Sequence, residues 1–253
     1  IYRAIRFGSV AENCVLDKKT NAINYNDTTI TENTRVAYPL SYIPQAKLPA
    51  IGGHPTNIIF LTNDAYGVMP PISLLTPGQA KFWFITGYTA KVAGTEVGMG
   101  ASPTPTFSAC FGGPFLVMHP TVYGTLLAEK LSKHNAKCWL VNTGWSGGSY
   151  GTGKRMSLKI TRQLIDGIHD GSLAKGTFET VPGWGLRIPT ACGNIDPAVL
   201  NPYKSWPNKA AFVSTIDKLA GMFRTNFKKY EAQASSDVLA AIPQNYRTSS
   251  AKL

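Results

Sequence analysis

The chain has 253 residues, 43% of them hydrophobic, which is enough for one large domain or two small ones. No segment approaches the roughly 20 uninterrupted apolar residues of a membrane span, so no membrane partner is expected. The formal net charge of +11 raises nucleic acid as a partner. The Lys and Arg residues are scattered, however, and no RNA-recognition signature with interleaved aromatic residues is present, so no nucleic-acid partner is expected.

The cysteines and histidines point to a reducing compartment and away from metal binding. The four cysteines are too far apart for a zinc-binding pair and too few for a disulfide framework, and the four histidines form no paired set. These residues are Cys14, Cys110, Cys138, Cys192, His54, His119, His134 and His169.

The first half of the chain predicts mostly strands. Short apolar runs on either side of the polar stretch 17–21 predict a hairpin, and residues 34–38 predict another strand. The run 57–61 is closed by Asn63 and Asp64, as at the end of a buried strand. Thr76 followed by Pro77 predicts a capped helix over 77–86.

The second half predicts helices around one strand. Helical patterns cover 119–132, 158–170 and 209–231, and 137–142 is a short apolar strand. A strand, a Gly-rich turn and a helix over 137–168 form the most persuasive α/β unit of the chain.

The Gly-rich turn, 142–162, resembles a phosphate-binding loop. Gly148 to Lys154 has the spacing G-x-x-x-x-G-K, but Arg155 stands where a magnesium-binding Ser or Thr is needed. The glycines allow close approach to a ligand, and Arg155 could stack on a purine or bind an anion. A flexible connection into an ordinary helix is the alternative.

Further motifs resemble one family. The segments ENTRVAYP (32–39), FLTNDAYGVMPP (60–71), GYTAKVAGTE (87–96) and PTPTFSACFG (103–112) occur in the order found in ATP-dependent phosphoenolpyruvate carboxykinases. Gly144-Trp145 and the GTGKR element follow where that family places them. The resemblance spans most of the chain, to about Tyr230, although the stretch 146–150 looks longer than the family's usual spacer.

The resemblance implies an α/β fold, namely a mixed-sheet, C-terminal mononucleotide-binding domain that is incomplete at its N-terminal side. This domain is expected over 1–243 and an exposed tail over 244–253. The implied enzyme is a carboxy-lyase that decarboxylates oxaloacetate and phosphorylates the enolate from ATP, as in gluconeogenesis. The products are phosphoenolpyruvate, ADP and carbon dioxide.

The resemblance also assigns the site residues. Arg35 is expected to contact both the terminal phosphate and the carboxylate substrate, where a guanidinium could neutralise charge on the transferring group; a surface salt bridge is the alternative. Arg155, Met156 and Thr161 are expected to contact the adenosine of ATP. A core position for Met156 and a surface position for Thr161 are the alternatives.

Three other segments carry weaker expectations. The small and polar residues of 94–107 suit an active-site lid, or else an ordinary Ω-loop. Asp64 and Glu96 are isolated carboxylates and are expected to be structural. Cys110 is expected to be buried, although a thiol beside a nucleotide site could be sensitive to alkylation.

The opening at Ile1 reads like the interior of an element, so we expect a fragment. The family's phosphate loop, its Mg²⁺ and Mn²⁺ ligands and its oxaloacetate-binding residues are expected upstream. A truncated nucleotide-binding module that performs no chemistry stays open beside the enzyme.

The final tripeptide, Ala251-Lys252-Leu253, is a close variant of the Ser-Lys-Leu address read by the peroxisomal import receptor. We therefore expect a glycosome or similar peroxisome-type organelle, with the cytoplasm as the alternative. A homodimer is expected from the family resemblance alone.

Overall fold

The computed structural model describes residues 3–30, 34–91 and 102–246. Contacts divide the chain into two compact units, and the domain expected over 1–243 stays a prediction. The first comprises the described residues within 1–54 and 91–103, and the second comprises those within 55–90 and 104–253. In the described residues no helix is long and apolar enough to cross a membrane.

The first unit consists of short antiparallel strand pairs. Its strands are β1 (Val10–Glu12), β2 (Val15–Leu16), β3 (Ile23–Asn24) and β4 (Arg35–Ala37). The pair β2–β3 confirms the predicted hairpin, and β1–β4 contains the predicted strand around residue 36. Asp17 shapes the hairpin turn, since its carboxylate accepts hydrogen bonds from the backbone N–H groups of Lys19 and Thr20.

The remaining strands and helices surround a central sheet. The strands are β5 (Asn57–Thr62), β6 (Ile72–Leu75), β7 (Tyr88–Lys91), β8 (Thr104–Phe107), β9 (Lys137–Asn142), β10 (Trp145–Ser146), β11 (Lys154–Arg155), β12 (Phe178–Thr180) and β13 (Arg187–Pro189). The helices are α1 (Pro77–Thr86), α2 (Pro120–Lys133), α3 (Leu158–His169), α4 (Ser172–Lys175), α5 (Pro197–Leu200), α6 (Pro202–Ser205), α7 (Lys209–Phe227) and α8 (Ser236–Leu239).

The five-stranded sheet has the order β12-β13-β6-β9-β5. Strands β5 and β9 are parallel, whereas β6 is antiparallel to β9 and β13 is antiparallel to β6, so the sheet is mixed, as expected. Strand β9 is buried on both faces. Leu140 packs in the core with the aromatic side chains of α1 and α7, and Trp139 packs on the opposite face against α3.

Helix α1 shows how local sequence fixes an element. The hydroxyl of Thr76 accepts a hydrogen bond from the backbone N–H of Gln79, and the Gln79 side chain accepts one from the N–H of Thr76. This capping box confirms the predicted start. The helix ends at Gly87, whose φ of 53° is left-handed and whose Cα lies against Ser108, leaving no room for a side chain.

Tyr246, the last described residue, lies within the segment 244–253 that is expected to form an exposed tail. The backbone N–H of Tyr246 donates to Asp217 at 2.6 Å, and its ring stacks on Tyr203 with centroids 5.6 Å apart. Burial raises the pKa of the Tyr246 hydroxyl to about 12. The packed chain therefore reaches at least residue 246, because this aromatic side chain finds a partner on α6.

Some predicted features lie outside the described residues. These are most of the lid, 94–107, with Glu96, the residues Glu32 and Asn33, the opening Ile1-Tyr2, and the import tripeptide 251–253. The expectations attached to them stay predictions, as does the homodimer.

Candidate nucleotide site

The candidate site lies at one edge of the central sheet, in the second unit. Because β5 and β9 are parallel, Asp64, which lies just after β5, and Asn142, the last residue of β9, meet at the same edge. The side-chain oxygen of Asn142 accepts hydrogen bonds from the backbone N–H groups of Asp64 and Gly144, each at 2.9 Å. The Asn142 side-chain amide donates to the carbonyl of Met69 at 3.0 Å. One buried amide thus joins the segments that leave both strands.

Residues 64–69 form a turn around a buried carboxylate, and we call this segment the Asp64 turn. One carboxylate oxygen accepts from the N–H of Tyr66 and the hydroxyl of Tyr88, at 3.0 and 2.9 Å. The other accepts from the N–H groups of Val68 and Met69, at 2.8 and 2.9 Å. Complete burial raises the pKa of Asp64, and the hydrogen bonds oppose that rise. The expected structural role of Asp64 agrees with these contacts.

The Gly-rich segment forms a β-hairpin, with β10 and β11 paired antiparallel in the register Trp145↔Arg155 and Ser146↔Lys154. Residues 147–153 connect the two strands, and we call them the glycine loop. Lys154 is therefore a strand residue, and α3 begins only at Leu158 with Ser157 as its N-cap. The G-x-x-x-x-G-K spacing does not produce the strand–loop–helix geometry of a phosphate loop here.

The glycine loop is held against the Asp64 turn. The backbone N–H of Tyr150 donates to the carbonyl of Ala65 at 2.8 Å, and the hydroxyl of Ser149 donates to the backbone carbonyl of Tyr66 at 2.9 Å. Gly67, with a φ of 67°, lies so close to Gly148 that a Cβ would overlap its carbonyl oxygen. The alternative of a flexible connection does not fit these contacts, because long-range hydrogen bonds hold the loop.

The three predicted adenosine contacts lie at and after the end of this hairpin. Arg155 is exposed, with its guanidinium carbon 5.5 Å from the centre of the Trp145 ring and its Nε donating to the Thr143 carbonyl at 3.4 Å. Met156 is buried, and its N–H donates to the Gly144 carbonyl at 2.7 Å. Thr161 is half-buried in the first turn of α3. Arg155 is therefore the most exposed of the three residues.

Arg35 belongs to the first unit. On β4 it lies opposite Glu12 of β1, and the two side chains form an ion pair at 3.7 Å while 55% and 59% exposed. An ion pair with this exposure contributes about 1 kcal/mol or less to stability. The salt-bridge interpretation is thus consistent with the geometry, and the expected contact of Arg35 with phosphate stays a prediction.

Metal ligands do not come together in the part of the chain that the structure describes. No group of three His, Cys, Asp or Glu side chains there is suited to hold a metal ion. The described residues therefore do not fit a Mg²⁺ or Mn²⁺ site of their own.

Cys110 is half-buried rather than buried, with a left-handed φ of 52°. Burial raises the pKa of the Cys110 thiol to about 11 and that of the Cys138 thiol to about 12. A raised pKa lowers the fraction of reactive thiolate at any pH below it.

We therefore expect Cys110 to resist alkylation at pH 8. Its modification in the folded protein should be about a hundredfold slower than in the same protein unfolded in urea, because the unfolded thiol has a pKa of about 8.5. Peptide mapping by mass spectrometry after timed iodoacetamide treatment measures this ratio, with Cys138 as the more deeply buried control. Equal rates of Cys110 modification in the folded and unfolded protein would contradict the raised pKa of this thiol.

Two contributors to the site were not predicted from the sequence. Tyr88 was not considered, although it reaches Asp64 from β7, and Trp145 was used only as a family marker although it lies beneath Arg155. An aromatic residue two positions before the glycine loop was the one signal that pointed to Trp145.

The fold and the site together define an α/β protein with a hydrogen-bonded hairpin that presents a cation beside a sheet edge. A family model, phosphoenolpyruvate carboxykinase of the ATP type, matches residues 1–198. The chain is 53% identical over 247 residues to phosphoenolpyruvate carboxykinase (ATP) of Candida glabrata, covering 96% of this chain and 45% of that protein. The chain therefore belongs to the ATP-type phosphoenolpyruvate carboxykinase family.

Other relatives agree. Phosphoenolpyruvate carboxykinase (ATP) 2 of Salinibacter ruber is 54% identical over 244 residues, with 96% of this chain and 46% of that protein covered. Phosphoenolpyruvate carboxykinase (ATP) of Saccharomyces cerevisiae is 52% identical over 247 residues, with 96% and 45% covered. The family prediction is confirmed, and the chain spans somewhat less than half the length of the curated relatives it matches.

Proposed function

We propose that this chain supplies the C-terminal, ATP-contacting part of an enzyme that converts oxaloacetate and ATP to phosphoenolpyruvate, ADP and carbon dioxide. The observation that carries the proposal is the hairpin of β10 and β11, which holds Arg155 exposed beside the hydrogen-bonded glycine loop. The relatives of this chain are named as ATP-type carboxykinases. A planar cation fixed on a strand suits the recognition of a nucleotide, since it can stack on a purine or bind an anion.

The chemistry has two steps. Loss of carbon dioxide from oxaloacetate leaves its bonding electrons as the enolate of pyruvate, and the enolate oxygen then takes the terminal phosphoryl group of ATP while ADP leaves. Positioning and electrostatic stabilisation supply most of the catalysis in such transfers. We assign Arg35 to the charge on the transferring phosphoryl group, and Arg155, Met156 and Thr161 to the adenosine. Neither step uses a metal ion bound by the described residues of this chain.

Replacing Arg155 tests the adenosine assignment. In a full-length carboxykinase that carries this segment, Arg155→Ala should raise the KM for ATP about tenfold, the effect of losing one cation contact of ~1–2 kcal/mol. The KM for oxaloacetate and the melting temperature should change little, because Arg155 is exposed. Steady-state kinetics with each substrate varied in turn measures the KM for ATP and the KM for oxaloacetate separately.

Lys154→Ala is the matched control. Lys154 is an exposed cation on the same strand, and its side chain points to the opposite face from that of Arg155. If the two variants raise the KM for ATP equally, the effect is one of general charge and Arg155 is not an adenosine contact.

A further inference from the structure

The Asp64 turn is the part of the site that the sequence analysis left without a functional role. Its carboxylate is completely buried, and it accepts four hydrogen bonds at 2.8–3.0 Å, three of them from the backbone of its own turn. A buried charge is costly unless it is so well hydrogen-bonded. This hydrogen-bonded carboxylate lies at the edge of the sheet next to the start of the hairpin.

The turn touches the hairpin at both of its ends. On the loop side, Ala65 and Tyr66 accept hydrogen bonds from Tyr150 and Ser149. On the strand side, the Asp64 carbonyl accepts from the N–H of Trp145 at 2.9 Å.

Close packing adds to these hydrogen bonds. Gly144 lies so close to the backbone of Asp64 that a Cβ on Gly144 would overlap the backbone atoms of Asp64. Gly67 makes the equivalent close approach to Gly148 at the loop. A displacement of the turn must therefore displace the whole hairpin.

The residues so held are those that the proposed function uses. Trp145 pairs directly with Arg155 and lies under its guanidinium, and the carbonyl of Gly144 accepts the N–H of Met156. An unbroken series of short contacts thus connects the Asp64 carboxylate with Arg155 and Met156.

We propose that Asp64 is a positioning residue for ATP: its carboxylate fixes the Asp64 turn, which sets the place of the glycine loop and hence of Arg155 and Met156. The inference rests on the proposed function and extends it to a residue that makes no contact with substrate. Tyr88 has the same role to a smaller degree, because it donates one of the four hydrogen bonds.

The test compares substrate-specific kinetics in a full-length carboxykinase that carries this segment. Asp64→Asn keeps the side-chain volume but leaves one acceptor oxygen for four donors. We expect the KM for ATP to rise about tenfold or more, since small misplacements of a binding group have large effects, with the KM for oxaloacetate within about twofold of wild type. Asp217→Asn is the control, because Asp217 also accepts a backbone N–H, from Tyr246, away from the hairpin.

A pair of glycine variants keeps the test decisive if Asp64→Asn does not fold. Gly67→Ala and Gly171→Ala both place a side chain at a left-handed φ, of 67° and 77°, but only Gly67 lies against the glycine loop, and a Cβ on Gly171 would meet nothing within 4 Å. We expect Gly67→Ala to raise the KM for ATP selectively and Gly171→Ala to leave it within about twofold of wild type.

The outcomes separate the inference from the proposed function. A wild-type protein that forms no phosphoenolpyruvate would overturn the proposed function. An active wild type in which Asp64→Asn or Gly67→Ala raises both KM values equally, or lowers only the melting temperature, would overturn the inference and leave the function standing.

Discussion

Arg35→Ala should lower the turnover of a full-length carboxykinase that carries this segment by a factor of a hundred or more. The variant loses a charge-assisted contact made mainly in the transition state, and such a loss raises the barrier by on the order of 3 kcal/mol or more. Initial rates at saturating ATP and oxaloacetate measure the change.

The ion pair with Glu12 supplies the matched control. If Arg35 serves only that exposed pair, Glu12→Ala and Arg35→Ala should act alike, each changing stability by about 1 kcal/mol or less. A catalytic Arg35 predicts that only Arg35→Ala loses turnover and that the double variant resembles it. Near-normal turnover of Arg35→Ala would show that the assignment is wrong.

The isolated 253-residue chain should show no formation of ADP from ATP and oxaloacetate above background, in Mg²⁺ or Mn²⁺. Phosphoryl transfer needs a phosphate cradle and divalent cations. The glycine loop connects the two strands of a hairpin and has no phosphate-loop geometry, and the described residues bring no three metal ligands together. A coupled assay on equal molar amounts of the chain and of a full-length carboxykinase that carries it measures the difference.

The isolated chain should also be poorly soluble and bind ATP weakly. Leu61 on the edge strand β5 is 59% exposed, and Phe115 and Val117 are 87% and 94% exposed. Adding the separately expressed N-terminal portion of the enzyme is expected to restore part of the activity. Turnover by the isolated chain at the rate of the full-length enzyme would place the complete catalytic set within these residues.

Local signals were enough for several elements. The start of α1 depended on Thr76, Pro77 and Gln79, neighbours whose capping chemistry does not need the rest of the protein. Strand β9 was recognisable as a short apolar run because it is buried on both faces. Helix α7 was predicted to continue to residue 231, but it ends at Phe227 and the chain tightens into a 3₁₀ helix over Lys228–Gln233.

Long-range contacts explain what the sequence could not show. Strand β6 follows two prolines and has only four residues, and its central, antiparallel place in the sheet is set by pairing with β9, more than sixty positions later. The shape of the glycine loop depends on carbonyls at positions 65 and 66, more than eighty residues before it. Such pairings are settled by tertiary packing and leave no local periodicity to read.

The candidate site residues, too, could be predicted only where the signal in the sequence is local. Arg155, Met156 and Thr161 were predicted because a family motif is a local pattern. The structure places them as one exposed cation, one buried side chain and one half-buried side chain, and their contact with adenosine stays a prediction. Tyr88 could not be found in this way, since its link to Asp64 crosses from β7 to the end of β5.

The most direct test of the proposed function is the product balance of a full-length carboxykinase that carries this segment. With ATP and oxaloacetate supplied together, we expect phosphoenolpyruvate, ADP and carbon dioxide in equal amounts, and no ADP when oxaloacetate is left out. ATP binding without formation of phosphoenolpyruvate would favour a nucleotide-binding module that performs no chemistry. ADP formation at the same rate without oxaloacetate would overturn the proposed function.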